Sequence, residues 1–225
     1  RANENGHERA WIQTKRKKRK IKTMNEKDLE KETNHYQQHV GLAQQYLDSR
    51  GITPAIAAAA RLGVVQDPLP GHENLVGRMV IPYVTPMGVR DLRFRSLDDM
   101  EQPKYLSLPG HSPRLYNTTV LIDDPDVIGI TEGEIDALVA THLVGIPSVA
   151  LPGAQAWTPR RHLRVFKGFR KVVVFADGDE AGRALASNIA KDLKQTLVVD
   201  LGDGLDVNSA VLSMGVEEVR RRAGL

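Results

Sequence analysis

The stretch VVVFADGDEAGR, residues 172–183, predicts how the C-terminal half of this chain folds. A run of strand-forming residues ends at Ala176 and leads into Asp177, Gly178 and Asp179, after which the pattern becomes helical. Two acids that flank a glycine in a tight turn repel each other unless a positive group lies between them. We therefore expect Asp177 and Asp179 to bind a cation, although Asp179 would also serve as an ordinary helix N-cap.

Predicted strands and helices alternate on both sides of this stretch. The alternation predicts an α/β domain over residues 123–225, in which a mostly parallel sheet is flanked by helices. Ligands of such sheets bind beyond the carboxyl ends of the strands. The predicted strands are residues 127–131, 148–151, 172–176 and 197–201, and the predicted helices are residues 134–143, 159–165 and 180–193.

Further acids follow two other predicted strands of this domain. Glu132 comes after the first strand with Asp136 about one helical turn farther on, and Asp206 comes after the last strand. Carboxylates gathered at one edge of a sheet suit Mg²⁺, which takes one or two protein carboxylates and keeps its other positions for water and phosphate. Structural explanations stay open for some of these acids, because Glu132 and Glu134 would complement a helix dipole and Asp206 would cap a helix.

The preceding residues 36–122 predict a smaller, mixed α+β lobe. An apolar stripe at helical spacing predicts a helix over residues 36–47. A second helix is expected to begin at the cap Thr53 and to stop at Gly63.

Two strands of this lobe are predicted over residues 75–84 and 89–97, around a turn. Arg93 and Arg95 are two residues apart, so on a strand they would lie on the same side of the sheet. Exposed arginines on a surface sheet often have no role, and that alternative stays open.

The composition excludes several classes of protein. The 225 residues contain no cysteine, so disulfides and thiolate zinc sites are excluded. No long apolar span or signal pattern predicts a membrane or secretory route, and we expect a cytoplasmic protein of a bacterial cell or a phage-infected host.

Residues 1–35 are expected to form a basic, flexible N-terminal segment. Six consecutive cations at residues 15–20 would either contact a nucleic-acid backbone or form a solvated linker. The first residue is Arg1 rather than Met, which suggests an excised or processed fragment.

Two motifs resemble those of the Toprim family, which includes bacterial-type primases, topoisomerases and some nucleases. ITEGEIDAL, residues 130–138, resembles the motif with a single essential Glu, and FADGDEAG, residues 175–182, resembles the Asp-x-Asp motif of primases. The resemblance covers about residues 40–215 and points to a phage or plasmid origin. Segments similar to the RNA polymerase domain of DnaG-type and phage primases are residues 46–52, 61–63, 77–83, 95–99, 103–106 and 115–117.

The resemblance implies which side chains form the site. It implies that Glu132, Asp177 and Asp179 are catalytic and bind Mg²⁺ or Mn²⁺, with Asp136 and Asp206 as supporting ligands. Asn208 departs from the family pattern, because primases often have a second Asp there. The basic residues that would contact template or nucleotide are Arg78, Arg95, Lys104 and Arg114, together with Arg93 on the strand face of Arg95.

The implied activity is that of a DNA primase catalytic core. Such a core makes short RNA primers on single-stranded DNA from ribonucleoside triphosphates, with two metal ions at the reacting phosphate. A replicative helicase is an implied partner, because the chain carries no phosphate-loop motif for a motor of its own. The family's zinc module requires cysteines, so a separate zinc-binding chain is a further expected partner, and no zinc is expected here.

Two other functions stay open at this point. A Toprim nuclease would cleave DNA with metal and without ribonucleotides. A non-catalytic DNA-binding or helicase-associated module would bind DNA whether or not metal is chelated. A topoisomerase is disfavoured, because the chain is too short for a separate domain that carries a nucleophilic tyrosine.

Overall fold

The computed structural model describes residues 26–98, 100–110, 114–153 and 155–225 of the chain. The basic run at residues 15–20 lies outside these residues. Two four-stranded sheets form the framework, one antiparallel and one parallel. Within the described ranges, no helix combines the length and the apolar character that crossing a membrane requires.

The antiparallel sheet belongs to the N-terminal lobe. Its elements are α1 (Glu26–Gln37), a 3-10 turn (Val40–Ala43), α2 (Gln44–Ser49), α3 (Pro54–Ala59), β1 (Gly63–Val64), a 3-10 turn (Glu73–Leu75), β2 (Met79–Thr85), β3 (Gly88–Arg95), β4 (Tyr105–Ser107) and a 3-10 turn (Thr118–Leu121). The strands follow one another in the order β1-β2-β3-β4, and β2 and β3 form the predicted hairpin.

Helix α1 covers one face of this sheet. Its buried Leu29 and Tyr36 pack in one cluster with Leu92 and Phe94 of β3. The expected boundary between residues 35 and 36 therefore falls inside a helix of the lobe. The flexible segment predicted for residues 1–35 does not extend over residues 26–35, because these residues bury an apolar side of α1.

The single helix predicted over residues 36–47 is wrong. The chain leaves α1 after Gln37, makes the 3-10 turn, and becomes helical again in α2. Tyr36, Ala43 and Leu47 are nevertheless all buried. The apolar spacing correctly indicated which side chains are buried. It did not distinguish one continuous helix from two helices joined by a turn.

The start of α3 is confirmed and its predicted stop is wrong. The Thr53 hydroxyl accepts a hydrogen bond from the Ile56 N–H (3.3 Å), and Pro54 occupies the first helical position. Gly63 instead lies in β1, where a Cβ would come within 2.5 Å of the carbonyl carbon and oxygen of Tyr36. Left-handed backbone occurs earlier, at Arg61 (φ 54°). Glycine is needed at position 63 for close packing of β1 against the end of α1.

The parallel sheet forms the C-terminal half. Its elements are β5 (Val127–Thr131), α4 (Glu134–Val139), a π-helical turn (Ala140–Val144), β6 (Ser148–Ala150), α5 (Pro159–Phe166), β7 (Lys171–Ala176), α6 (Glu180–Asp192), β8 (Thr196–Asp200), α7 (Val207–Met214) and α8 (Val216–Arg222). The order is β6-β5-β7-β8, and every neighbouring pair is parallel. The predicted α/β fold is thus confirmed.

Each face of the parallel sheet buries its own cluster. Val173 and Phe175 pack with α4, α7 and α8, and this cluster continues into Ile81 and Tyr83 of β2. Val172 and Val174 point the other way and pack with α5 and α6. The first cluster joins the lobe and the parallel sheet, so the acids at the sheet edge and the arginines of β3 belong to one packed body.

Replacing Gly63 with Ala should destabilise the protein, because the new methyl group would push β1 away from α1. We expect a loss of about 1–3 kcal/mol in the free energy of unfolding, as for other overpacked interiors. Gly41→Ala is the matched control, because a Cβ at Gly41 meets no atom within 4 Å. Urea unfolding measures both. Equal midpoints for the two variants would show that the close contact at Gly63 is not important.

Candidate metal centre at the carboxyl edge of the parallel sheet

The predicted acids gather at one edge of the parallel sheet. Glu132 follows β5 and Asp177 follows its neighbour β7, so both stand at the carboxyl ends of adjacent parallel strands. Asp179 is the N-cap of α6, and Asp206 is the N-cap of α7. Asp136 lies in the first turn of α4. We call these five residues the acidic edge.

Gly178 joins the turn that carries Asp177 to the turn before Asp206 by two backbone hydrogen bonds. Its N–H donates to the Leu205 carbonyl (2.8 Å), and its own carbonyl accepts from the Gly204 N–H (2.8 Å). A Cβ at Gly178 would lie 1.9 Å from the Gly202 carbonyl oxygen, so no other residue fits without a backbone shift. The turn that carries Asp177 and the turn before Asp206 are therefore held in contact.

Gly182 brings the acids of β5 and β7 into contact with the same helix. A Cβ at this position would lie 2.8 Å from Glu132 Oε1 and 2.5 Å from the Asp177 carbonyl oxygen. Its N–H donates to Asp179 Oδ1 (2.7 Å). The backbone of α6 can approach all three carboxylate-bearing residues only because residue 182 has no side chain.

Two oxygens of this edge are buried without a hydrogen-bond partner: Glu132 Oε1 and Asp177 Oδ1. Burial raises the pKa of Asp177 to about 8, with further contributions from Asp136 and Glu132. Burial and the charge of Asp179 also raise the pKa of Glu132. Buried polar atoms almost always have partners. A cation between these oxygens would supply the missing partner.

Asp136 is the most deeply enclosed residue of the acidic edge, and it accepts a backbone hydrogen bond from α7. It is buried, and its Oδ1 accepts a hydrogen bond from the Asn208 N–H (2.9 Å). Burial and the charge of Asp206 raise its pKa to about 7, against the lowering effect of that hydrogen bond. The Asn208 amide donates to the Arg50 carbonyl (2.5 Å), which ties α7 to the lobe. Asn208 therefore has a structural role where primases often have an acid.

The helix-capping alternatives also hold. Asp179 Oδ1 caps α6 through the Gly182 N–H, and Asp206 forms a capping box with Ser209. A carboxylate has two oxygens, so capping through Oδ1 is compatible with a cation contact through the other. Capping fixes the position of both side chains at the edge.

The described residues contain no group of three or more histidine or acidic side chains arranged so that it could hold a metal ion. Magnesium does not require such a group, because it usually keeps several waters and binds one or two carboxylates plus substrate phosphates. Hard carboxylate oxygens, two of them buried without partners, match that chemistry. Glu132 and Asp177 fit as direct ligands, with the remaining acids around them.

The predicted basic residues of the lobe make extensive contacts within the chain. Arg78 is buried and donates to Glu101 Oε1 (2.6 Å) and to the Pro103 carbonyl (3.0 Å). Arg95 is also buried and donates to the Tyr105 hydroxyl (2.6 Å). These contacts hold the segment around β4, and they are structural roles that the sequence did not predict.

Arg93 forms an ion pair with Glu134, which the sequence did not predict. Its Nη1 lies 2.5 Å from Glu134 Oε1, and the Tyr83 hydroxyl donates to the same oxygen (2.7 Å). The Glu134 side chain is only 2% exposed. The Arg93 guanidinium also lies over the Tyr105 ring, 4.2 Å from its centre. This ion pair joins β3 to the first residue of α4, which lies between Glu132 and Asp136 in the chain.

A signal for this pair was present in the sequence. Glu134 begins a helix whose residues 135 and 137–139 are all apolar, and a helix with apolar residues on most sides is buried. An acid inside a buried helix needs a cation or donor partner. The partner itself was not identifiable, because Arg93 is 41 residues away in the chain.

Lys104 and Arg114 complete the predicted basic set. Lys104 is half-buried beside β4, and Arg114 is exposed. Arg114 lines a cleft of about 910 Å³, whose lining contains none of the acidic edge. The structure thus brings the five predicted acids together, whereas the predicted basic residues are spread over the lobe.

Comparisons with known proteins agree with this fold. A model of the Toprim domain matches residues 127–217. The Gene 57 protein of Mycobacterium phage D29 is 45% identical over 152 residues, which span 65% of this chain and 97% of that protein. The DNA primase of Aquifex aeolicus is 28% identical over 220 residues, which span 80% of this chain and 44% of that primase.

A solved structure gives the same fold. The DnaG primase catalytic domain bound to single-stranded DNA superposes with a TM-score of 0.72 at 23% identity, over 88% of this chain and 80% of that one. The chain is thus an α/β protein with a Toprim domain and the fold of DnaG catalytic cores. It belongs to the same family as the mycobacteriophage Gene 57 protein, which supports the predicted phage origin.

Replacing Asp177 with Asn should stabilise the metal-free protein and remove its response to magnesium. Burial raises the pKa of Asp177 to about 8, so at neutral pH folding must either protonate this carboxyl or bury its charge. Asparagine has neither cost, and we expect the free energy of unfolding in chelator to rise by about 1–3 kcal/mol. The parent should gain stability on adding magnesium chloride, because a ligand of the folded state stabilises it. Urea unfolding with chelator and with magnesium measures both effects.

Asp123→Asn is the matched control for this experiment, because Asp123 is exposed and lies outside the acidic edge. It should behave as the parent does under both conditions. If Asp177→Asn gained as much stability from magnesium as the parent, Asp177 would not be a metal ligand.

Breaking the Arg93–Glu134 pair should be costly only when the carboxylate is left behind. Arg93→Met strands the buried charge of Glu134, and we expect a loss of about 3–5 kcal/mol. The double variant Arg93→Met with Glu134→Gln should be more stable than Arg93→Met alone. A double-mutant cycle by urea unfolding measures the coupling.

The exposed pair Arg221–Glu218 gives a control, because Arg221→Met should leave the midpoint almost unchanged. Additive losses from Arg93→Met and Glu134→Gln would contradict a coupled pair.

Proposed function

We propose that this chain is a primase catalytic core, which starts RNA chains from ribonucleoside triphosphates on single-stranded DNA. The observation that carries the proposal is the pair of buried, unpartnered oxygens Glu132 Oε1 and Asp177 Oδ1, which lie just beyond the ends of two neighbouring strands. The fold shared with DnaG catalytic cores supports it, and so does the 28% identity with the Aquifex primase. That primase is longer than this chain, which spans 44% of it.

The acids would hold Mg²⁺ or Mn²⁺ at the reacting phosphate. Glu132 and Asp177 are the proposed direct ligands, and Asp179, Asp136 and Asp206 add negative charge around them. Bound metal would stabilise charge on the attacking hydroxyl and on the departing pyrophosphate. Gly178 and Gly182 contribute by forcing the acid-bearing turns together, so that the negative charges are in position before substrate arrives.

The basic residues divide into two groups in this proposal. Arg114 has the exposed cationic group that phosphate contact requires, and Lys104, half-buried beside β4, stays in the proposed set. Arg78 and Arg95 are buried against the β4 segment and chiefly shape it, and Arg93 chiefly pairs with Glu134. Of the five basic residues that the sequence suggested for binding nucleotide or template, only two keep that role in this proposal.

The proposed partners follow from the proposed reaction. Single-stranded DNA is the template, and ribonucleoside triphosphates are the substrates. A replicative helicase would supply unwound DNA. The 225 residues contain no cysteine, so a thiolate zinc module would have to come from outside them. The proposed place of action is the cytoplasm of a bacterial or phage-infected cell.

Primer synthesis from labelled ribonucleotides tests the proposal. The parent should extend on single-stranded DNA with magnesium or manganese, and Glu132→Gln should lose about 100-fold or more, as when a group that stabilises transition-state charge is removed. Glu180→Gln is the matched control, because Glu180 is exposed in the first turn of α6 and is not part of the acidic edge. Equal synthesis by Glu132→Gln and Glu180→Gln would contradict the assignment.

The neutral side chain of Asn208, where the primase pattern has an acid, fits one alternative, a non-catalytic DNA-binding module. This module would give DNA binding unchanged by chelator and no product with any nucleotide. Cleavage of DNA without added ribonucleotides would instead indicate a nuclease. The primer-synthesis reactions distinguish all three when each is run with and without ribonucleotides.

A further inference from the structure

A cleft of about 910 Å³ is lined by none of the five residues of the acidic edge. Three parts of the chain line the cleft: the β2–β3 hairpin, the segment before the 3-10 turn at Thr118–Leu121, and the loop and helix after β6. The second of these parts pairs with the parallel sheet through Tyr116 and Ala150. The cleft is therefore built jointly by the N-terminal lobe and the Toprim side.

The lining of the cleft is cationic. Each of its three parts contributes one arginine, namely Arg90, Arg114 and Arg161, and none of the lining residues that the structure describes is acidic. Arginines from separate segments that converge on one cavity favour an anion, because guanidinium groups bind phosphate oxygens in pairs. Arg161 was not among the basic residues that the sequence suggested.

The interior of the cleft is mainly apolar. Leu115 and Val165 line it, together with the ring of Tyr83. His162 adds a polar group with a defined tautomer: the Thr158 N–H donates to its Nδ1 (2.9 Å), so Nε2 carries the proton of the neutral ring. Burial lowers the pKa of His162, which favours that neutral form. An apolar interior with few polar groups is typical of sites for small organic ligands.

The walls of the cleft also contact the first acidic motif. Tyr83 lines the cleft, and its hydroxyl donates to Glu134, the residue between Glu132 and Asp136 in the first acidic motif. The Leu151 N–H, just before the loop that lines the cleft, donates to the Thr131 carbonyl at the end of β5 (2.9 Å). Two hydrogen bonds therefore connect the walls of the cleft to the segment that carries Glu132.

We propose that this cleft binds a nucleotide unit, with its base against Leu115 and Val165 and its phosphate near Arg114 and Arg161. The naming of a nucleotide as the ligand rests on the proposed function. The unit has two possible sources, a free nucleoside triphosphate or a residue of single-stranded DNA. Both offer the same chemistry, a phosphate next to an aromatic base.

Binding in the presence of chelator tests this site separately from catalysis. Two probes are used, a fluorescent ATP analogue and a short fluorescein-labelled single-stranded oligonucleotide. Arg161→Gln should weaken binding of at least one probe by about tenfold, the scale of a charge-assisted hydrogen bond. Arg164→Gln is the matched control, because Arg164 is an exposed residue of the same helix outside the cleft lining, and it should bind as the parent does.

The outcomes separate the sources and can overturn the proposal. If Arg161→Gln binds the oligonucleotide more weakly and its affinity depends less on salt than that of the parent, the cleft binds single-stranded DNA. The reason is that each lost phosphate contact lowers the salt dependence of the affinity. Loss of ATP-analogue binding alone assigns the cleft to free nucleotide. Equal binding by Arg161→Gln and Arg164→Gln, with equal melting temperatures, would overturn the site. Failure of primer synthesis alone would leave these binding results standing.

Discussion

The buried carboxylate of Glu134 is the interaction on which the arrangement of this protein depends. An acid with 2% exposure is tolerated only if its charge is matched, and here Arg93 and Tyr83 of the antiparallel sheet bind it. The three side chains fix the antiparallel sheet against the helix that follows β5. Glu132 and Asp136 flank Glu134 in the chain, so this contact also helps to position them. Tyr83, which donates to Glu134, lines the cationic cleft as well.

The acidic edge combines close packing with electrostatic cost. Gly178 and Gly182 allow backbone approaches that no other residue could make, and these approaches force carboxylates of three strand ends together. The raised pKa of Asp177, caused first by burial and then by its acidic neighbours, expresses that cost. Functional sites often retain such unfavourable arrangements because the surrounding fold stabilises them. A cation bound at the acidic edge would remove this cost.

Much of the parallel domain could be predicted because its signals are local. Apolar runs predict strands, and acids after parallel strands must meet at one edge whatever the details of the fold. The pairing of Arg93 with Glu134 was not predictable, because it joins segments that no periodicity connects. Gly63 was misread for the same reason, since its role depends on the distant backbone of Tyr36. The cleft required three separate segments to be in place before its cationic character became visible.

The most direct test of this account is to locate the metal. Crystals soaked in manganese chloride and measured at a wavelength with strong manganese anomalous scattering should give a peak within coordination distance of both Glu132 Oε1 and Asp177 Oδ1. A peak elsewhere, or carboxylates that turn away from each other with no peak between them, would contradict the claim that the acidic edge is a metal centre.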